Sequence, residues 1–278
     1  MAIRDVLLTL TSYPEPTPVS VIDRAVSLIS PFGAHIAAIS CEVHVQIPGT
    51  FMSGVGNIGS IVASEAHKSR KNAQDLLATF EAAATKSGLL HETILERCLT
   101  SEVSDLLVDY ARLRDLTIVP VPESYDQWYA EAIVFGSGRP TLVMPEATTL
   151  KQAELNRVIV AWDFSRAAAR AVSDAMPILE KAREVFILTV ANEKAISSQR
   201  SSSELAKNLS RHGVDVVVEE VDAAGRAIGD VLVAQIASRR ADLLVMGAYG
   251  HSRLREFILG GATRSVLARP PIPVLLSH

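Results

Sequence analysis

Short apolar runs alternate with amphipathic stretches along the whole chain. Val6-Leu7-Leu8-Thr9-Leu10 reads as a strand, and Pro14, Pro16 and Pro18 hold the next segment out of helix. Apolar residues at Val21, Ile22, Ala25, Val26, Leu28 and Ile29 then mark one face of a helix over Val19–Ile29. The pattern continues with a strand at 34–40, a helix at 64–86 stopped near Gly88, a strand around Ile94-Leu95 and a helix over 103–112. A strand at 116–119, a helix around Trp128 and a strand at 141–144 complete the first half. Pro48, Gly49, Gly54, Gly56 and Gly59 are expected to form a flexible connection, and Gly136 and Gly138 a turn.

The polar stretch 151–156 reads as a linker, and a second series follows it. Strands are expected at 157–162, 184–190, 214–221 and 243–246, and helices at 166–181, 205–212, 227–239 and 262–268. Pro177 is expected to kink or shorten its helix, Gly213 to close the 205–212 helix, and Pro270 to stop the last one. In the 227–239 helix, Ile228, Val231, Leu232, Ala234, Gln235 and Ile236 mark the inner side. Regular alternation of strand and helix predicts an α/β fold with a doubly wound parallel sheet, Rossmann-like, of expected strand order 3-2-1-4-5 in each half.

The halves also match each other. Val6-Leu7-Leu8 corresponds to Val158-Ile159-Val160, Asp115 to Val119 corresponds to Asp242 to Met246, and Arg139 to Val143 corresponds to Pro270 to Val274. This is the signature of an internal repeat of domain length. Two domains are expected, 1–150 and 151–278.

The candidate chemistry lies mainly in one stretch. The apolar run Leu243-Leu244-Val245-Met246 stops at Gly247, Gly250 follows, and Gly260-Gly261-Ala262-Thr263 opens a helix. Strand, glycine-bearing loop and helix start together put free backbone N–H groups and the positive end of a helix dipole at the carboxyl edge of a sheet, which suits a phosphate. Glycine lets the backbone approach the anion without a Cβ in the way. A glycine-rich loop is also an ordinary tight connection, so spacing alone leaves both readings open.

Gly247, Gly250 and Gly260 fit the G-x2-G-x9-G-(S/T) nucleotide loop of the universal stress protein family, which the segment resembles; the Ser/Thr position is Gly261. The resemblance implies two domains of the universal stress protein type. The first is degenerate, because Pro120 stands where the second has Gly247 and no G-x2-G-x9-G follows it. It also implies an adenine nucleotide (ATP, ADP or AMP) in the second domain, with Mg2+ admitted beside it. Asp163-Phe164-Ser165 looks like the family's Asp-x-Ser, whose aspartate contacts the nucleoside; the alternative is an ordinary helix N-cap. Val190 stands where the family's backbone meets the adenine ring, or is a plain strand end. Ala161 and Met246 end the two strands that flank the crevice. Gly260 and the N–H groups of Gly261 and Ala262 would meet phosphate, Thr263 would offer a hydroxyl, and His251, Arg253 and Arg264 would add positive charge unless they are solvated surface residues. The cofactor-binding set is thus Ala161, Asp163, Ser165, Val190, Met246, Gly247, Gly250, His251, Arg253, Gly260, Gly261, Ala262 and Thr263.

Composition narrows the rest. The 278 residues are 48% hydrophobic, enough for two cores, and no run of ~20 apolar residues predicts a membrane span. The start lacks a secretory pattern, and two cysteines, Cys41 and Cys98, read as small buried hydrophobes; a cytoplasmic protein is expected. Residues 1–150 hold 10 Lys+Arg against 17 Asp+Glu, and 151–278 hold 17 against 14, so the glycine-bearing half is basic by three charges and the other acidic by seven. That sign suits an anionic ligand in the second half and is too mild for a nucleic-acid surface. No G-x4-G-K-[ST] or metal-spaced histidine set is present, and nothing sets a base beside an attacking water, so binding with at most slow ATP hydrolysis is expected. The apolar last strands around Leu142-Val143-Met144 and Val274-Leu275-Leu276 would aggregate as free edges. Pairing them makes an intrachain pseudo-dimer, and two such chains would be free to form a homodimer. The competing readings are a nucleotide-free interaction module with a decayed site, and a ligase-like α-hydrolase relative, which lacks its serine-glycine loop where Trp162-Asp163-Phe164 stands.

Overall fold

The computed structural model describes residues 2–44, 58–122, 128–146, 155–191, 202–248 and 261–278. The first half runs β1 (Asp5–Leu10), α1 (Val19–Ile29), β2 (His35–His44), α2 (Ile58–Lys86), β3 (His91–Leu99), α3 (Val103–Arg112), β4 (Leu116–Val121), α4 (Trp128–Gly136) and β5 (Thr141–Pro145). The second runs β6 (Arg157–Ala161), α5 (Arg166–Leu179), β7 (Glu184–Ala191), α6 (Ser202–Arg211), β8 (Val216–Asp222), α7 (Ile228–Arg239), β9 (Leu243–Gly247), α8 (Gly261–Ala268) and β10 (Val274–Ser277).

All ten strands belong to one sheet, in the order β3-β2-β1-β4-β5-β10-β9-β6-β7-β8. Each half runs from its third strand through its second and first to its fourth and fifth. The sheet is parallel within each half; at the junction β10 pairs with β5 antiparallel, Val274 facing Val143 and Leu275 facing Leu142. The pairing of the two last strands joins the halves into a single continuous sheet.

Parallel strands buried on both faces read as continuous apolar runs, and β1, β4, β5, β9 and β10 do. One core lies under α1, α2, α5 and α6, joining Leu8, Leu142, Val160 and Leu275; the other lies under α3, α4, α7 and α8, joining Leu7, Val143, Ile159 and Val274. Each core crosses the junction. The free edges, β3 and β8, alternate half-buried and exposed residues, with Glu92, Glu96 and Arg97 on one and Glu219 and Glu220 on the other. Charged edges resist strand addition. That polarity also hides β3 in the sequence, which marks only Ile94-Leu95 of its nine residues.

The same local bonds recur at corresponding places. Asp115 Oδ2 accepts from the N–H groups of Arg4 and Asp5 at 2.9 and 3.1 Å, and Asp242 Oδ2 accepts from those of Asn156 and Arg157 at 3.1 and 2.8 Å. Each aspartate thus ties the start of its half's fourth strand to the start of the first.

Several expectations need correction. Gly59 lies inside α2, which begins six residues before the expected start, and Gly136 ends α4. Helix α5 ends at Leu179, two residues past Pro177 and two short of Lys181, in keeping with the shortening expected of that proline. Ala234 is exposed; the inward face of α7 is Gly229, Val231, Leu232 and Ile236. Pro48, Gly49, Gly54 and Gly56 lie outside the described residues. Cys41 and Cys98 are free and buried, and burial pushes both thiols up, which leaves them protonated and inert.

Candidate functional site

In an open α/β sheet the ligand crevice lies beyond the carboxyl ends of the strands where strand order reverses. In the second half that point falls between β6 and β9, and Ala161, Asp163, Ser165, Val190, Met246 and Gly247 lie at these strand ends. Ala161 ends β6, paired with Leu188 of β7; Val190 lies two residues further along β7. On the other side Val160 pairs with Val245, so Met246 and Gly247 occupy the end of β9 beside Ala161. Ala161, Val190 and Gly247 are half-buried and Met246 is buried.

The chain then turns sharply. Phe164 has a φ of 62°, in the left-handed region. The turn is held by Asp163, whose Oδ1 accepts the Ser165 N–H at 2.9 Å, and by Ser165, which caps α5 by accepting the Ala168 N–H at 3.0 Å. Ser165 is therefore the N-cap, and Asp163 orders the turn before it, a division of labour the sequence leaves open. Asp163 remains exposed at the crevice mouth. Beside it, Trp162 packs edge-on against Phe164 at 5.6 Å, and its buried indole N–H has no hydrogen-bond partner among the described residues.

Gly247 has a packing reason as well as a chemical one. A Cβ there would stand 2.5 Å from the Ala168 nitrogen and 2.6 Å from the Ala167 carbonyl carbon. Only glycine lets the end of β9 touch the first turn of α5, which brings the α5 N-terminus to the crevice. The run Ala167-Ala168-Ala169 opposite it is the sequence signal for this approach.

On the far side Gly261 begins α8, exposed, with open space where a Cβ would go. Ala262 is half-buried and Thr263 is buried. Ala262 packs on the same core as Met246 and Ala248, so the first turn of α8 lies over the sheet face beside β9. Gly229 fixes that helix from behind, since a Cβ on it would stand 2.4 Å from Ser265 Oγ. Sequence reasoning passed over Gly229, which looks like an ordinary interior glycine. Gly250, His251, Arg253 and Gly260 lie outside the described residues.

A half built this way, with a strand-order reversal and an acidic turn after its first strand, has the architecture of the doubly wound α/β folds. Residues 154–278 match the model of the universal stress protein family. Over 34 residues the chain is 56% identical to Universal stress protein Slr1230 of Synechocystis; that stretch covers 12% of this chain and 12% of that protein. Its fold is similar to a universal stress protein from Archaeoglobus fulgidus, with a TM-score of 0.69 at 16% identity over 98% of this chain and 95% of the other. It is similar too to a putative universal stress protein from Pseudomonas aeruginosa, with a TM-score of 0.58 at 15% identity over 99% and 93%. Residues 154–278 are a universal stress protein domain.

Proposed function

We propose that this chain is a cytoplasmic stress-response regulator whose second-half crevice binds an adenine nucleotide, ATP, ADP or AMP, with Mg2+ accompanying a polyphosphate. The observation that carries the reading is the meeting at one sheet edge of Asp163, the capped N-terminus of α5 and the side-chain-free Gly247. Asp163 would take the nucleoside, the strand ends at Ala161, Val190 and Met246 the base, and the first turn of α8 the phosphates, through the N–H groups of Gly261 and Ala262 and the hydroxyl of Thr263. Gly250, His251, Arg253 and Gly260 would complete the phosphate side. Binding is regulatory: the ligand shifts an equilibrium between conformers or partners by its differential affinity for them. In this reading 1–150 and 151–278 are two copies of one domain, fused as a pseudo-dimer along β5 and β10, and two chains can pair further as a homodimer.

Gly261 favours a second reading, a nucleotide-free interaction module, because a Ser or Thr hydroxyl there would donate to a phosphate oxygen. The open space at Gly261 makes this testable, since a serine fits without displacing anything. Calorimetric titration with ATP, ADP and AMP should show binding that Asp163→Ala weakens at least tenfold. Gly261→Ser should tighten ATP by roughly tenfold or more, as expected for a bond of about 1.5–3 kcal/mol to a charged group. No heat with any of the three, and no nucleotide co-purifying by native mass spectrometry, would establish the second reading.

A further inference from the structure

The corresponding crevice of the first half, between the carboxyl ends of β1 and β4, is open and has different chemistry. It encloses about 330 Å³, within the range of small-molecule sites. Its floor is apolar, formed by Leu10, Val43, Leu107, Val119 and Val121, and Tyr13 and Tyr129 stand along it. Five prolines line it, Pro14, Pro16, Pro18, Pro120 and Pro122, and none has an N–H. These five positions therefore offer a phosphate no backbone donor. Pro120 occupies the place of Gly247.

Charge points the same way. The ionisable lining groups other than tyrosine and the protonated Cys41 thiol are two carboxylates, Glu15 and Glu146, and no lysine, arginine or histidine is among the described lining residues. Arg24 lies close, and its Nη2 donates to the carbonyl oxygens of Pro145 at 3.3 Å and Glu146 at 2.6 Å. Among the described residues the Glu146 carboxylate has no ion-pair partner within 4.0 Å.

We propose that this crevice is a second ligand site, selective for a small organic cation: an ammonium group on an apolar body. The apolar part lies on the Leu107 and Val119 floor. The ammonium donates to Glu146, with the tyrosine rings as further cation-tolerant surface. Anions are repelled by the two carboxylates. Burial pushes the Glu146 carboxyl up to about 7, opposed by Arg24 and reinforced by Glu15, so a bound cation would favour its ionised form.

The test uses the full chain at pH 8 and three isosteric probes, 2-phenylethylamine, 2-phenylethanol and 3-phenylpropanoate, followed by methyl NMR at Leu107 and Val119. The amine should give saturable shifts, the alcohol should bind at least fivefold more weakly, and the carboxylate should leave both signals in place. Glu146→Gln should weaken the amine at least fivefold and bring it level with the alcohol. Absent shifts, equal affinity for amine and carboxylate, or an amine affinity untouched by Glu146→Gln would each overturn the proposal. ATP titration of the same samples reads the other half, so the two sites stand or fall separately.

Discussion

At the scale of single residues, Gly247 and Glu146 are under opposite pressures. Gly247 is held by sterics: Gly247→Ala drives a methyl into the backbone of Ala167 and Ala168, which cannot rotate away. Overpacking of this kind costs about 1–3 kcal/mol. We expect a lower urea midpoint and, under the proposed function, weaker nucleotide binding because the α5 N-terminus is displaced. An unchanged midpoint would mean that β9 and α5 are not in contact. Glu146 is a matter of charge. Its carboxyl is raised to about 7 chiefly by burial, so between its unfolded value and about 7 the folded chain holds the proton more tightly than the unfolded chain. That contribution is fully present below the unfolded value and is lost as pH rises through about 7. Glu146→Gln cannot titrate, so its melting temperature relative to the parent should rise between pH 5 and pH 8; a constant difference would place Glu146 in water. Gly247 was legible from its spacing, though the sequence suggested only a phosphate contact. Glu146 was not legible, because a carboxylate after a strand looks like any surface residue until burial is known.

Elements were readable in proportion to how completely they are buried. The apolar strands β1, β4, β5, β9 and β10 stand out because both faces are covered, and the α1 and α5 stripes because one face is. β3 is obscured by the charges that protect it as an edge. The start of α2 is obscured for another reason: Ile58 and Gly59 follow a glycine-rich stretch that locally argues for loop. The Asp163 turn was half legible, since Asp-Phe-Ser signals a cap, but assigning the cap to Ser165 needed the geometry. The β5–β10 pair carries the sharpest consequence at this scale. Leu275 is fully buried and packs in a core with residues of both halves, Leu142 and Val160 among them. Leu275→Ala should cost about 2–5 kcal/mol. Each half holds one tryptophan, Trp128 in α4 and Trp162 after β6, so Trp162→Phe and Trp128→Phe leave fluorescence reporters of the first and second half respectively. Leu275→Ala should lower the urea midpoint seen by both reporters equally. A fall at one alone would show that the halves unfold independently.

Across the whole molecule the halves are bound together by more than the strand pair. Phe135 of α4 meets His278 beyond β10 edge-on at 5.0 Å, and the His278 Nδ1–H donates to the Ala248 carbonyl at 2.9 Å. On the opposite face Lys181 stands over Phe32 at 5.5 Å. The end of β9 is therefore linked through His278 to a helix of the other half, so a ligand that shifts β9 has a mechanical route across the junction. The charge difference between the halves, visible in the sequence, takes on local meaning: the acidic half lines its own crevice with carboxylates.

Because β5 and β10 run in opposite directions, the carboxyl ends of the first five strands and of the last five face opposite rims of the sheet. The mouths of the two crevices are back to back. A partner with one flat recognition face can read the occupancy of only one of them at a time, and a partner that reads both has to reach around the edge of the protein.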